Sequence, residues 1–140
     1  MKAFVIIFLL SIGFNHDRKS NISVCDPFLE TTKLVDTIDV EAKLLELRAL
    51  PFYNPSLSYL EKKNLLIKAQ FKSYITFQII GCKKEFNSVI SAKNDRSKKI
   101  LNSDYPIKAT LKCVVYRNKS NPNLTKEGYF LAVIDVSNVK

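Results

Sequence analysis

The sequence predicts an α+β domain in which N-terminal helices pack on one side of an antiparallel sheet. Three observations predict it. Apolar residues recur at three- and four-residue steps from about position 26 to position 71, they alternate with polar residues at 75–79 and 107–115, and a nearly continuous apolar run fills 128–136. The first spacing is that of amphipathic helices and the others are those of strands. Helices followed by strands is the order of an α+β domain.

The helical part opens at Asp26-Pro27, an N-cap oxygen followed by proline at the first helical position. Phe28, Val35, Ile38, Ala42, Leu45 and Ala49 then form one apolar stripe, which Pro51 ends, and Thr37-Ile38-Asp39-Val40 is a point where it divides into two helices. Phe52-Tyr53-Asn54-Pro55 is a turn. Ser58-Tyr59-Leu60-Glu61 is a capping box for a second helix, whose face carries Leu60, Ile67 and Phe71 with Leu57 just before them. Such stripes ordinarily pack into a core.

The strands come next. Ile75, Phe77 and Ile79 alternate with Thr76 and Gln78, as in a half-buried strand. Gly81 to Phe86 is a turn with a short returning strand, and Asn87 to Asn102 is weakly helical, anchored by Val89, Ile90, Ile100 and Leu101 and ended by Pro106. Ile107, Ala109, Leu111, Cys113 and Val115 alternate with Lys108, Thr110 and Lys112. After a polar loop from Arg117 to Asn123, the strand at Gly128 to Val136 is apolar on both alternating sets, which requires cover on both faces.

The N-terminus reads as a signal peptide spanning residues 1–13. Met1-Lys2 is a positive start, Ala3 to Phe14 carries no charge, and Ser11 and Gly13 supply small residues at −3 and −1 of a cut after Gly13. The run is shorter than the roughly 20 residues a membrane span needs. Residues 14–25 form an N-terminal extension and 26–140 a single domain. Export makes the Asn-X-Ser/Thr sites at Asn21, Asn118 and Asn123 candidates for glycosylation.

Composition narrows the function classes. With 46% hydrophobic and 25% charged residues the chain is globular, and three glycines with no tryptophan exclude a Gly-rich phosphate loop. The net charge of +9 is dispersed in pairs such as Lys62-Lys63, Lys83-Lys84 and Lys98-Lys99, so a nucleic-acid partner is not expected of a secreted chain. There are three cysteines, Cys25, Cys82 and Cys113. In an oxidising compartment two pair, and the third is free or links a disulfide-bonded dimer. We expect Cys82–Cys113, which lie at or within strands that could be sheet neighbours; Cys25–Cys113 or Cys25–Cys82 would instead tie down the N-terminal segment. With no CxxC and His16 as the only histidine, neither a metal site nor a cofactor is expected.

Two helices, then a strand ending in Phe77-Gln78-Ile79-Ile80-Gly81-Cys82-Lys83-Lys84-Glu85-Phe86, a short helix and long strands resemble the secreted nuclear transport factor 2-like domains abundant in nematodes. In these an aromatic-rich strand runs into a Gly-Cys-Lys-Gly-aromatic turn, whereas Lys84 or Glu85 stands here in place of the second glycine. The resemblance implies a cystatin-like cone, a curved antiparallel sheet wrapped by helices around an apolar pocket. It hosts binding modules as well as ketosteroid-isomerase-like and dehydratase-like enzymes, so the fold alone does not choose between them.

The binding reading, for an apolar small ligand or an extracellular protein, draws on Phe71, Ile75, Phe77, Ile79, Leu111, Val115, Phe130 and Ile134 as pocket lining. Core packing would explain the same residues. The enzymatic reading needs a base facing a donor; Asp135, with Tyr129 and Tyr116 nearby in sequence or on the preceding strand, is its one candidate, although strand-end aspartates more often cap turns. A third reading has the basic surface engage an acidic partner or glycan. Mass spectrometry of the protein exported by a eukaryotic cell should find Phe14 as the first residue, and an intact Met1 on the exported protein would refute the signal peptide.

Overall fold

The computed structural model describes residues 25–51, 54–117 and 128–140. The signal peptide and the three glycosylation candidates lie outside these residues. Five strands close into a barrel: β1 (Val35–Ala49), β2 (Phe71–Ile79), β3 (Glu85–Ser91), β4 (Ile107–Arg117) and β5 (Tyr129–Ser137), in the order β1-β2-β3-β5-β4. All neighbours are antiparallel except β3 and β5, which run parallel. Two short helices accompany them, α1 (Pro55–Lys62) between β1 and β2 and α2 (Asp95–Leu101) between β3 and β4. This connectivity is that of an OB-type Greek-key barrel.

The expected architecture of N-terminal helices on a curved sheet is therefore corrected, and β1 is the reason. Ile38, Val40, Ala42 and Leu44 face inward, while Thr37, Asp39, Glu41 and Lys43 alternate with them. A bulge between Leu44 and Glu46 then inserts Leu45 and shifts the phase, so that Leu47 packs on the core. That shift lets a strand imitate a helical stripe over 15 residues. It also bends β1 so that Val35–Leu44 pairs with β4 and Ala42–Ala49 pairs with β2. One strand serves two neighbours, and the sheet has no free edge at this seam.

The other differences are local. Asn54, not Ser58, caps α1: its Oδ1 accepts the Leu57 amide at 2.9 Å, and Pro55 takes the first turn. The helix stops at Lys62, ahead of Asn64 in the left-handed region at φ 56°, so Ile67 does not share its buried face. Asn87–Ser91 belongs to β3, and only Asp95–Leu101 of the weakly helical segment is helix. The strands expected at 75–79, 107–115 and 128–136 form as read.

The barrel interior is filled from end to end. Val40, Ala42, Leu44, Ile75, Phe77, Leu111, Cys113, Val115, Leu131 and Val133 meet in it, and Ile100 of α2 closes the mouth at the β3 exit. The opposite mouth is closed by the chain ahead of β1. Phe28, in a 3₁₀ turn at Pro27–Glu30, is fully buried with its ring 6.4 Å from Phe77, 5.2 Å from Phe86 and 5.9 Å from Tyr129. A second cluster lies outside the barrel, where Leu57 and Leu60 of α1 cover Val89, Val114, Phe130 and Ala132. This explains why β5 is apolar on both faces: Tyr129, Leu131 and Val133 look inward, and Phe130, Ala132 and Ile134 look toward α1.

Phe28→Ala should cost about 3–5 kcal/mol. The denaturation midpoint should drop without a change of slope; a loss below about 1 kcal/mol would mean that the mouth is not sealed by this ring.

Candidate functional site

The expected cysteine pairing is corrected by geometry. Cys25 and Cys82 form the disulfide, with Cα atoms 5.4 Å apart, and Cys113 is a free thiol buried on β4. Cys113 faces the barrel interior, whereas Cys82 sits on the β2–β3 turn at the mouth, so the two never meet. With the free thiol enclosed, a disulfide-linked dimer through it would require β4 to leave the barrel.

Around the disulfide the N-terminal strap is held by ionic groups. Asp26 is only 3% exposed; the Lys84 ammonium donates to its Oδ2, and the Tyr129 hydroxyl lies 3.2 Å from both carboxylate oxygens. Lys84 also sits 5.1 Å above the Phe86 ring. Arg117, at the end of β4, donates from Nε to Thr31 Oγ1 at 2.8 Å and from Nη2 to the carbonyls of Phe28, at 3.0 Å, and Leu29. These charged donors are committed to fastening a segment. Asp26, expected as a helix cap, accepts instead from Lys84 and Tyr129, and the sequence signal for this is its adjacency to a cysteine that pairs 57 positions away.

Asp135 is likewise committed. Its Oδ1 accepts the Asn94 side-chain amide at 2.7 Å and the Val136 backbone amide at 2.8 Å. Asn94 is the N-cap of α2, its Oδ1 accepting the Ser97 amide at 2.7 Å. The carboxylate thus ties α2 to β5. Tyr129 is occupied with Asp26 at the other end of the barrel, and the Tyr116 hydroxyl donates to the Leu65 carbonyl at 3.3 Å on the outer side. Neither tyrosine hydroxyl meets Asp135; the charged groups beside it in its surface cleft are Asp95 and Arg96.

The expected pocket residues are divided. Ile75, Phe77, Leu111 and Val115 belong to the barrel interior, with Ile79 packed against them. Phe71 and Phe130 belong to the cluster beneath α1, with Ile134 at its margin. The barrel wall separates the two sets, and each is in contact with other side chains rather than with a shared cavity.

What remains open is the outer face of β1, β2 and β3. Register places on it Arg48 and Tyr74, whose row ends at Val89 beneath α1, then Glu46, Thr76 and Asn87, and then Lys43, Gln78 and Glu85. Thr76 Oγ1 donates to Asn87 Oδ1 at 2.9 Å, and Gln78 Nε2 donates to the Lys83 carbonyl at 3.1 Å. Arg48 and Glu46 form an exposed pair at 2.9 Å. Tyr74 stands at the border, where the Asn54 amide donates to its hydroxyl and burial raises its pKa. Thus one residue, Asn54, caps α1 and orients the aromatic edge of the face. Thr76 and Gln78 were legible as the solvent side of a strand; their neighbours on β1 were not, because β1 was read as helix. Among the described residues, α1 reaches this face only at its Tyr74–Val89 edge.

No family model, curated protein or solved structure matches the chain. Among the described residues there is no cluster of metal-binding side chains, and no helix is long and apolar enough to cross a membrane.

Burial, with a smaller contribution from Asp39, pushes the Cys113 thiol up from 9.0 to about 12. The thiol is protonated in the fold at pH values where the unfolded chain has lost the proton. Stability from this group is complete below about pH 9 and is lost as pH rises toward 12, at about 1.4 kcal/mol per pH unit. Cys113→Ala should flatten that alkaline decline in urea melts. A thiol reagent at pH 8 should label the wild type only after denaturation, and rapid labelling of the native protein would contradict the burial.

Proposed function

We propose that the protein is a small secreted, non-catalytic domain that binds an extracellular glycan across the outer face of β1, β2 and β3. The observation that carries this reading is the contrast between a filled barrel and an uncovered face bearing neutral hydrogen-bonding side chains in register beside an aromatic ring. The strand 2–3 face is also where barrels of this type hold oligosaccharides and oligonucleotides. Thr76, Gln78 and Asn87 offer hydroxyl and amide groups that match sugar hydroxyls, and Tyr74 offers an apolar ring edge.

Electrostatics favours an acidic glycan. The chain carries +9, and Lys43, Arg48 and Lys83 lie on or beside the face. Secretion is supported by the predicted signal peptide and by the Cys25–Cys82 disulfide, a bond that persists in oxidising compartments. An apolar small ligand is less favoured, since the candidate pocket residues are packed against one another on two sides of the wall.

Titration calorimetry with sulfated and neutral oligosaccharides tests the reading. The sulfated series should bind, and the double variant Gln78→Ala/Asn87→Ala should weaken binding about tenfold, as expected for two lost hydrogen bonds. Its thermal midpoint should stay near that of the wild type. Equal affinity of wild type and variant, or no binding by the wild type, would reject the proposal.

A further inference from the structure

The connection from the end of α1 to the start of β2 combines a run of lysines with exposed aliphatic side chains. It runs Glu61-Lys62-Lys63-Asn64-Leu65-Leu66-Ile67-Lys68-Ala69-Gln70-Phe71-Lys72, with four lysines against one glutamate. Two aliphatic side chains stand out of it, Leu65 at 36% and Ile67 at 59% exposure, while Leu66 between them packs toward the cluster under α1. The segment's shape is set locally. Asn64 turns the chain with its positive φ, the Leu65 amide donates to the Leu60 carbonyl at 2.9 Å, and the Lys68 amide donates to Glu61 Oε1 at 3.2 Å. Tyr116 on β4 holds it from beneath through the Leu65 carbonyl.

The lysines around this tip are not neutralised. Lys63 lies 5.9 Å above the Tyr59 ring and Lys68 Nζ donates to Ser58 Oγ at 3.2 Å. The ion pairs among the described residues join Arg48 to Glu46, Lys84 to Asp26 and Lys98 to Asp95, so none of Lys62, Lys63, Lys68 and Lys72 meets a carboxylate. Glu61 spends an oxygen on a backbone amide. Four lysines that meet no carboxylate thus surround two exposed aliphatic groups on this one turn.

We propose that this tip docks the domain on an anionic lipid bilayer, with Leu65 and Ile67 entering the interfacial layer and Lys62, Lys63, Lys68 and Lys72 facing lipid phosphates and carboxylates. Charge complementarity names an anionic partner. The aliphatic pair, which an anionic sugar polymer would leave exposed, favours lipid over a glycan. Two aliphatic side chains on a turn fall far short of the roughly 800 Å² each partner contributes to a stable protein interface. A bilayer needs no shape match, and its affinity grows with each basic side chain near the surface and each apolar group inserted. This site is separate from the β1–β2–β3 face and goes beyond the glycan reading.

Cosedimentation with vesicles of phosphatidylcholine containing about 30% phosphatidylserine tests it, against pure phosphatidylcholine vesicles. The protein should sediment with the anionic vesicles only, and less so as salt rises and shortens the Debye length. Lys62→Gln/Lys63→Gln and Leu65→Ser/Ile67→Ser should each reduce binding at least about tenfold with unchanged thermal midpoints, because these side chains are exposed. Gln78→Ala/Asn87→Ala should sediment like the wild type, which separates this result from the fate of the glycan proposal. Absence of anionic-vesicle binding, equal binding to neutral vesicles, or insensitivity to either tip variant would overturn it. So would heparin retention without vesicle uptake.

Discussion

The structure depends on one strand pairing along both edges. β1 lies against β4 through its first ten residues and against β2 through its last eight, and the bulge after Leu44 bends it from one neighbour to the other. An open five-stranded sheet would leave two long edges and an unfilled concave side, each a route to aggregation. Closure removes the β1 edges and fixes the volume the side chains must fill. That volume is taken up by Val40, Ala42, Leu44, Phe77, Leu111 and Val115, with small Ala42 beside large Phe77 and Leu44. Inserting Leu45 thus has consequences at both levels: it turns the strand, and it places Leu47 on the inner side where the barrel needs it.

A short barrel has two mouths, and the chain closes each by a different device. At one end α2, capped by Asn94 and tied to β5 through Asp135, delivers Ile100. At the other, the segment before β1 delivers Phe28 and is held by the disulfide, by the Asp26–Lys84–Tyr129 contacts and by Arg117. Crosslinking positions 57 residues apart removes about 4 kcal/mol of chain entropy from the unfolded state in the loop-closure account. A buried carboxylate breaks even only when its oxygens are fully satisfied, and Asp26 receives an ammonium and a hydroxyl. The polar groups that first attract a mechanistic reading are therefore structural, and they explain how a small core supports a strap that has little regular structure.

Both proposed sites lie on the outside as a result. With the interior packed and α1 lying over β3, β5 and β4, the two surfaces proposed to bind are the β1–β2–β3 face and the tip between α1 and β2. They differ in chemistry: the first offers neutral hydrogen-bonding groups in rows set by register, the second offers uncompensated lysines around aliphatic groups. Asn54 and Tyr116 link these surfaces to the same helix, since Asn54 caps α1 and contacts Tyr74, while Tyr116 holds the segment that follows α1. If both proposals hold, a domain recruited to a surface by its tip presents the β1–β2–β3 face beside it.

The sequence by itself determined much of the β part. Alternation in Ile75–Ile79 and Ile107–Val115 marked β2 and β4, because one covered face imposes period two. The double apolar set at 128–136 marked a strand covered on both sides, and α1 proved to be the second cover. Tertiary structure decided what local patterns share between two periods. In β1, Ile38, Val40, Ala42 and Leu44 carry period two, yet Val35, Ile38, Ala42, Leu45 and Ala49 carry a helical one, and only hydrogen bonds to strands on both sides select between them. The same holds for Cys25 with Cys82 and for Asp26 with Lys84: their partners are distant in sequence, and only closure of the barrel brings the strap to the β2–β3 turn where those bonds can form.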